Sequence, residues 1–201
     1  HIIPFVRSLF DTPDSFLNGT TPNMQATIDD ALAAYKWVVD THISCTICDT
    51  KFIVGGQSAG SMVTTLVAKA AYDDNSVRKA DLALLYSPQI ACNAKNTPSM
   101  LRTATVNKFG TWHVGAEPTS WSGVTDERRQ CPEKFSAQEY AAFADRYVLT
   151  VAQHDLFVDA TVEMASRLHR FNIATDLYVI GKKAGHWHPT GLTAEWYKAL
   201  P

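Results

Sequence analysis

The chain has 201 residues, 46% of them apolar and 19% charged, with a formal net charge of −2; it reads as one globular domain long enough to bury a sizeable core. That balance argues against a nucleic-acid partner, because phosphate binding needs a concentrated basic footprint and no basic cluster longer than a pair is present. No apolar run approaches the roughly 18 residues of a transmembrane span, and no signal-peptide pattern opens the chain.

Apolar runs of strand length alternate with amphipathic segments of helix length, which predicts an α/β fold with a mostly parallel sheet flanked by helices. The first strand covers residues 2–6. Residues 24–40 place Ile28, Leu32, Tyr35 and Val39 at helical spacing. A strand over 51–56 runs into a helix over 59–72. Residues 81–88 form a buried strand ended by Pro88, and 146–153 another, followed by a helix over 160–171. The last strand is 175–181, and 193–200 make a short closing helix. Between residues 89 and 145 no period emerges. That stretch, with Trp112 and Trp121, reads as a lid or pocket wall, or as short helices.

The chain opens on His1 rather than methionine, as a processed chain or a piece of a longer one would. Cys45 and Cys48 form a lone CxxC, while Cys92 and Cys131 are too scattered to complete a zinc site. The CxxC pair reads as ordinary loop or half-buried thiols, and disulfide pairing among the four stays open. The sequon at Asn18 and the even cysteine count suit secretion; a cytoplasmic location is slightly favoured.

The chemistry concentrates at Gly56-Gln57-Ser58-Ala59-Gly60, a G-x-S-x-G between a predicted strand and a predicted helix. A nucleophile on so tight a turn takes strained backbone angles, and small neighbours let the turn close. The turn lifts the Ser58 hydroxyl clear of the sheet and aims the Ala59 N–H at a developing oxyanion.

A serine hydroxyl needs a base to take its proton, and the base needs an orienting carboxylate. In a parallel α/β sheet both belong on loops at the carboxyl ends of later strands. The strand over 146–153 leads to Asp155 and Asp159, and the last strand leads to His186 and His188. The order Ser, Asp, His follows. Asp155 is the favoured acid, with Asp159 in reserve as the residue that suits the next helix N-terminus. His186 is the favoured base and His188, restricted by Pro189, the reserve. His154 is read as an exposed neighbour. A metal bound through His186-x-His188 lacks a third ligand at obvious spacing, so no metal or cofactor is expected.

On these residues the sequence resembles the α/β-hydrolase superfamily, and within it the hormone-sensitive-lipase-like esterases. Residues 22–40 are similar to the family's helix ahead of the nucleophile strand. "GGQSAGSMV" is similar to its elbow, "LLYSPQ" to the following strand and "AQHDLFVDATVEMASRL" to the acid loop. "GHWHP" stands where the family has its catalytic histidine, although the usual His-Gly-Phe is absent. The family's H-G-G-G oxyanion loop has no counterpart between His1 and Ser58. The resemblance therefore implies a C-terminal portion without its first strands, one of them central to the sheet. It also implies a serine hydrolase acting on small-molecule carboxylic esters through an acyl-enzyme. A peptidase or amidase of the same superfamily, or a non-catalytic ligand-binding protein of the same fold, are the alternatives. The oligomeric state is not legible.

Overall fold

The structure is a computed structural model that describes residues 24–43, 51–74, 78–88, 132–155 and 157–181. The expected strand over 2–6, the closing helix, His186, His188, the four cysteines, the sequon, Trp112 and Trp121 lie outside these residues.

Four parallel strands form one sheet in the order β1-β2-β3-β4: β1 Ile53–Gln57, β2 Leu82–Tyr86, β3 Arg146–Ala152 and β4 Ala174–Ile180. Each follows the last in the chain and pairs beside it, so the connections are crossovers that carry helices. Helix α1 (Met24–Val38) precedes β1, α2 (Ala59–Asp73) joins β1 to β2, α3 (Ala137–Phe143) precedes β3, and α4 (Val158–Arg170) joins β3 to β4. The predicted elements in the described residues are all present, with ends moved by a residue or two. One turn of π-helix, Val39–Ile43, continues α1.

The stretch without a readable period holds a short helix near its end, α3, of the kind expected there but not placed by the sequence, preceded by a 3₁₀ turn at Pro132–Lys134. A capping box starts it: the Ser136 hydroxyl accepts from the Glu139 N–H at 3.3 Å, and the Glu139 carboxylate accepts from the Ser136 N–H at 2.5 Å. The sequence signal was there as Ser136-x-x-Glu139.

The pleat sends Ala83, Leu85, Tyr147, Leu149 and Leu177 to one face of the sheet, where they join the core against the helices. Helix α2 is the hub, packing on β1, α1 and α3. Strand β3, fully buried from Tyr147 to Ala152, is one of the two inner strands among the described residues and is apolar but for Arg146 and Thr150, as strands covered on both faces are. Strand β1 alternates half-buried and exposed residues and is an edge of the sheet among the described residues.

Candidate active site

Three residues outside glycine have positive φ among the described residues: Ser58 at 52°, Ser87 at 46° and Asn172 at 57°. Asn172 has a purely architectural use. Its N–H reaches His169 O at 2.9 Å and the Ile173 N–H reaches Leu168 O at 3.0 Å, which closes α4 in a Schellman motif. The other two stand at the carboxyl ends of β1 and β2. A left-handed non-glycine residue costs about 1–3 kcal/mol, and such strain persists where surrounding structure over-determines it.

Ser58 is the single residue between β1 and α2, with φ 52° and ψ −119°. Its N–H donates to Tyr86 O at 2.9 Å, which extends the β1–β2 ladder by one rung beyond the strand. Its carbonyl accepts from the Ser61 N–H at 3.0 Å and the Met62 N–H at 3.2 Å. Helix therefore begins immediately, and Ala59 is its first residue. The Ala59 N–H is one of the first-turn amides that have no partner within the helix, at the positive end of its dipole. Ser61 staples the turn shut: it is fully buried, its hydroxyl in reach of the Gly56 carbonyl and of Tyr86 O at 2.9 Å.

The glycines of the motif are not equivalent. A Cβ on Gly56 would lie 2.4 Å from the Gly60 carbonyl carbon and oxygen, so the turn closes onto the bare face of Gly56. A Cβ on Gly60 would meet nothing within 4 Å among the described residues. Among the described residues, then, it is the bare face of Gly56 that the turn uses, and at Gly60 the backbone makes the close approach. Gln57 ends β1 and is exposed.

Asp155 lies beyond β3 and is 1% exposed. Its Oδ1 accepts from the Phe157 N–H at 2.8 Å and its Oδ2 from the Ser87 hydroxyl at 2.6 Å. Asp159 is half-buried in the first turn of α4, where its charge complements the helix dipole as expected. His154 is exposed, also as expected. The Tyr86 phenol is pushed above its ordinary value of 10.0 by burial, and further by the negative charge of Asp155. Among the described residues no group of three His, Cys, Asp or Glu side chains could hold a metal ion, and no helix is long and apolar enough to cross a membrane.

Three strand ends thus meet along one edge of the sheet. Ser58 after β1 is bonded to Tyr86 at the end of β2, and Ser87, the next residue, is bonded to Asp155 after β3. Sequence reasoning missed Ser61, Tyr86 and Ser87. The signal for the last two was a polar pair placed directly before the proline that ends a buried strand.

The strained serine between a parallel strand and a helix gains its context from known proteins. Residues 21–188 match the family model of the alpha/beta hydrolase fold. The chain belongs to this family. Its expected place in the superfamily, among the hormone-sensitive-lipase-like members, is borne out. Among solved structures it is similar to a fungal esterase of Rhizomucor miehei, with 19% identity and a TM-score of 0.67 over 88% of this chain and 57% of that one. It is also similar to a hyperthermophilic esterase of the archaeon Pyrobaculum calidifontis, with 17% identity and a TM-score of 0.66 over 90% and 57%. Esterase LipW of Mycobacterium marinum matches with 20% identity and a TM-score of 0.63 over 82% and 50%. At such identities the likeness establishes the fold. The chain spans 50% to 57% of the length of these three proteins. No curated protein matches it.

Proposed function

We propose that this α/β-hydrolase chain carries the nucleophile and acid of a serine hydrolase that cleaves carboxylic esters through an acyl-enzyme. The observation that carries the reading is the backbone of Ser58, strained at φ 52° between β1 and the first residue of α2. Such strain at a half-buried serine flanked by exposed Gln57 and Gly60 is a reason to look for chemistry. The names of the three similar structures given above, each an esterase, support the choice of ester as substrate.

In this mechanism the Ser58 Oγ attacks the carbonyl carbon while His186 takes its proton, and the carbonyl electrons move onto oxygen. The Ala59 N–H at the start of α2 stabilises that oxyanion. Collapse of the tetrahedral species breaks the ester C–O bond, and the imidazolium returns the proton to the departing alcohol. Water then repeats the sequence on the acyl-enzyme, releasing acid and Ser58. Asp155 holds the imidazole in one tautomer and stabilises its charged form. Neither a metal nor a cofactor takes part.

The test is hydrolysis of p-nitrophenyl acetate, butyrate and octanoate, with fluorophosphonate labelling of the same samples and Ser58→Ala as control. Turnover and labelling that vanish in the control support the reading, and the chain-length preference sizes the acyl pocket. A folded chain that neither turns over nor labels refutes it.

A further inference from the structure

We propose that Ser87 is a positioning residue for the acid of this site: its hydroxyl fixes the Asp155 carboxylate against the sheet so that the carboxylate can orient the base. The inference deepens the proposed function and rests on Asp155 being the acid.

Two donors to Asp155 among the described residues differ in what they anchor. The Phe157 N–H, two residues on, closes a local turn at 2.8 Å and ties the carboxylate only to its own loop. The Ser87 hydroxyl, 68 residues away in sequence, reaches the other oxygen at 2.6 Å from the end of the neighbouring strand. A carboxylate gripped on both oxygens keeps its plane, and its roughly four lone-pair sites outnumber these two donors.

Ser87 is itself firmly placed. It is fully buried, and its N–H donates to Thr150 O on β3 at 2.7 Å. The carbonyl just before it, Tyr86 O, holds the Ser58 N–H at 2.9 Å and lies 2.9 Å from the Ser61 hydroxyl. One dipeptide therefore touches the nucleophile's backbone on one side and the acid's carboxylate on the other. The backbone angle sharpens the point. At φ 46° a glycine would sit without steric cost. The serine adds only a hydroxymethyl group, and its hydroxyl goes to Asp155.

The experiment is a double-mutant cycle on the 201-residue chain, reading the second-order rate of fluorophosphonate labelling at Ser58 and kcat and KM for p-nitrophenyl butyrate. Ser87→Gly and Ser87→Ala both remove the hydroxyl, and Gly also relieves the strained angle, so a folded variant is available if Ala melts. Each is made alone and with Asp155→Asn, and each is checked by thermal melting. Both single variants at Ser87 are expected to slow labelling and kcat about 10- to 100-fold with KM unchanged, the scale of a misplacement of order 1 Å in reacting geometry. In the Asp155→Asn background, the same changes are expected to cost no more than about two-fold, because residues acting as a unit are not additive. A loss of equal size in both backgrounds, or no loss at Ser87 while Asp155→Asn is slow, overturns the proposal and leaves the acid reading standing. An Asp155→Asn variant as fast as the parent overturns the acid reading, and the role of Ser87 with it.

Discussion

Gly56 is where the elbow has least room, and a single methyl group there tests the account of the turn. The Cβ of Gly56→Ala would stand 2.4 Å from the Gly60 carbonyl carbon and oxygen and 2.7 Å from the Ser61 nitrogen. Carbon contacts are comfortable from about 3.5 Å, so the overlap is roughly 1 Å. All three atoms are backbone in the first turn of α2, and none can swing aside as a side chain would. Overpacking costs about 1–3 kcal/mol, and a collision with fixed backbone belongs at about 3 kcal/mol. For a chain of this size that lowers Tm by about 6–12 °C, at about 2–4 °C per kcal/mol. The relief available is to push α2 away from β1, which displaces Ser58 and the Ala59 N–H. A shift of order 1 Å there costs about 100-fold in reactivity. Gly60→Ala is the control. Its Cβ meets nothing within 4 Å among the described residues, and alanine in place of glycine within a helix contributes about 0.5–1 kcal/mol. Thermal melts and fluorophosphonate labelling of the two variants separate the cases. Gly56→Ala melting with the parent and labelling at its rate would refute the reasoning, as would a Gly60→Ala variant equally damaged.

Two further outcomes follow from the buried polar groups. Glu139 is 1% exposed and lies 3.5 Å from Lys69, itself 8% exposed; breaking such a pair costs about 3–5 kcal/mol. Asp73 still holds Lys69 at 2.5 Å, so Glu139→Ala is expected near the low end, about 3 kcal/mol by urea unfolding, and Glu139→Gln, which keeps the cap at Ser136, should lose less. Tyr147 and Tyr35 are held above the ordinary phenol value of 10.0, first of all by burial. Below that pH both states keep these protons and nothing changes; above it the unfolded chain releases them while the folded chain does not. Stability is therefore full below about pH 10 and falls as pH rises, by about 1.4 kcal/mol per unit for each withheld phenol. Urea midpoints between pH 9 and 11 check this, and Tyr147→Phe should remove one phenol's share of the slope.

The frame of this protein was legible because its strands and helices announce themselves by period. Helix α4 shows it well: Thr161, Met164, Ala165 and Leu168 are buried at helical spacing, with Glu163 and Ser166 exposed between them and Arg170 exposed after them. Strand β3 reads as an apolar run broken only by Thr150 because it is an inner strand of the sheet among the described residues. Helix α3 could not be placed, although short helices were expected in that stretch, because seven residues are too few for a period to rise above the irregular residues before them. Its capping box was the better signal, since it depends on two residues and not on a repeat. At the site, Ser58 and Asp155 stood out through their positions after strands. Ser87 did not, because a serine hydroxyl becomes informative only once its partner, 68 residues away, is known.

Ser87 also answers a geometric need that the motif alone leaves open. Neighbouring strands lie about 4.8 Å apart, so residues leaving β1 and β3 at the same edge start about 10 Å apart. Side chains as short as serine and aspartate do not close that gap, and β2 runs between them. Two bridges are therefore required if Ser58 and Asp155 act together. One is the moving bridge, an imidazole that carries protons. The other is fixed: the end of β2, where Tyr86 O receives Ser58 and the Ser87 hydroxyl reaches Asp155. Only the fixed bridge can hold the gap constant while the imidazole gains and loses charge. The strained φ of 46° at Ser87 is then the cost of turning a side chain out of a strand toward its neighbour's loop, and it falls at the one strand that lies between Ser58 and Asp155.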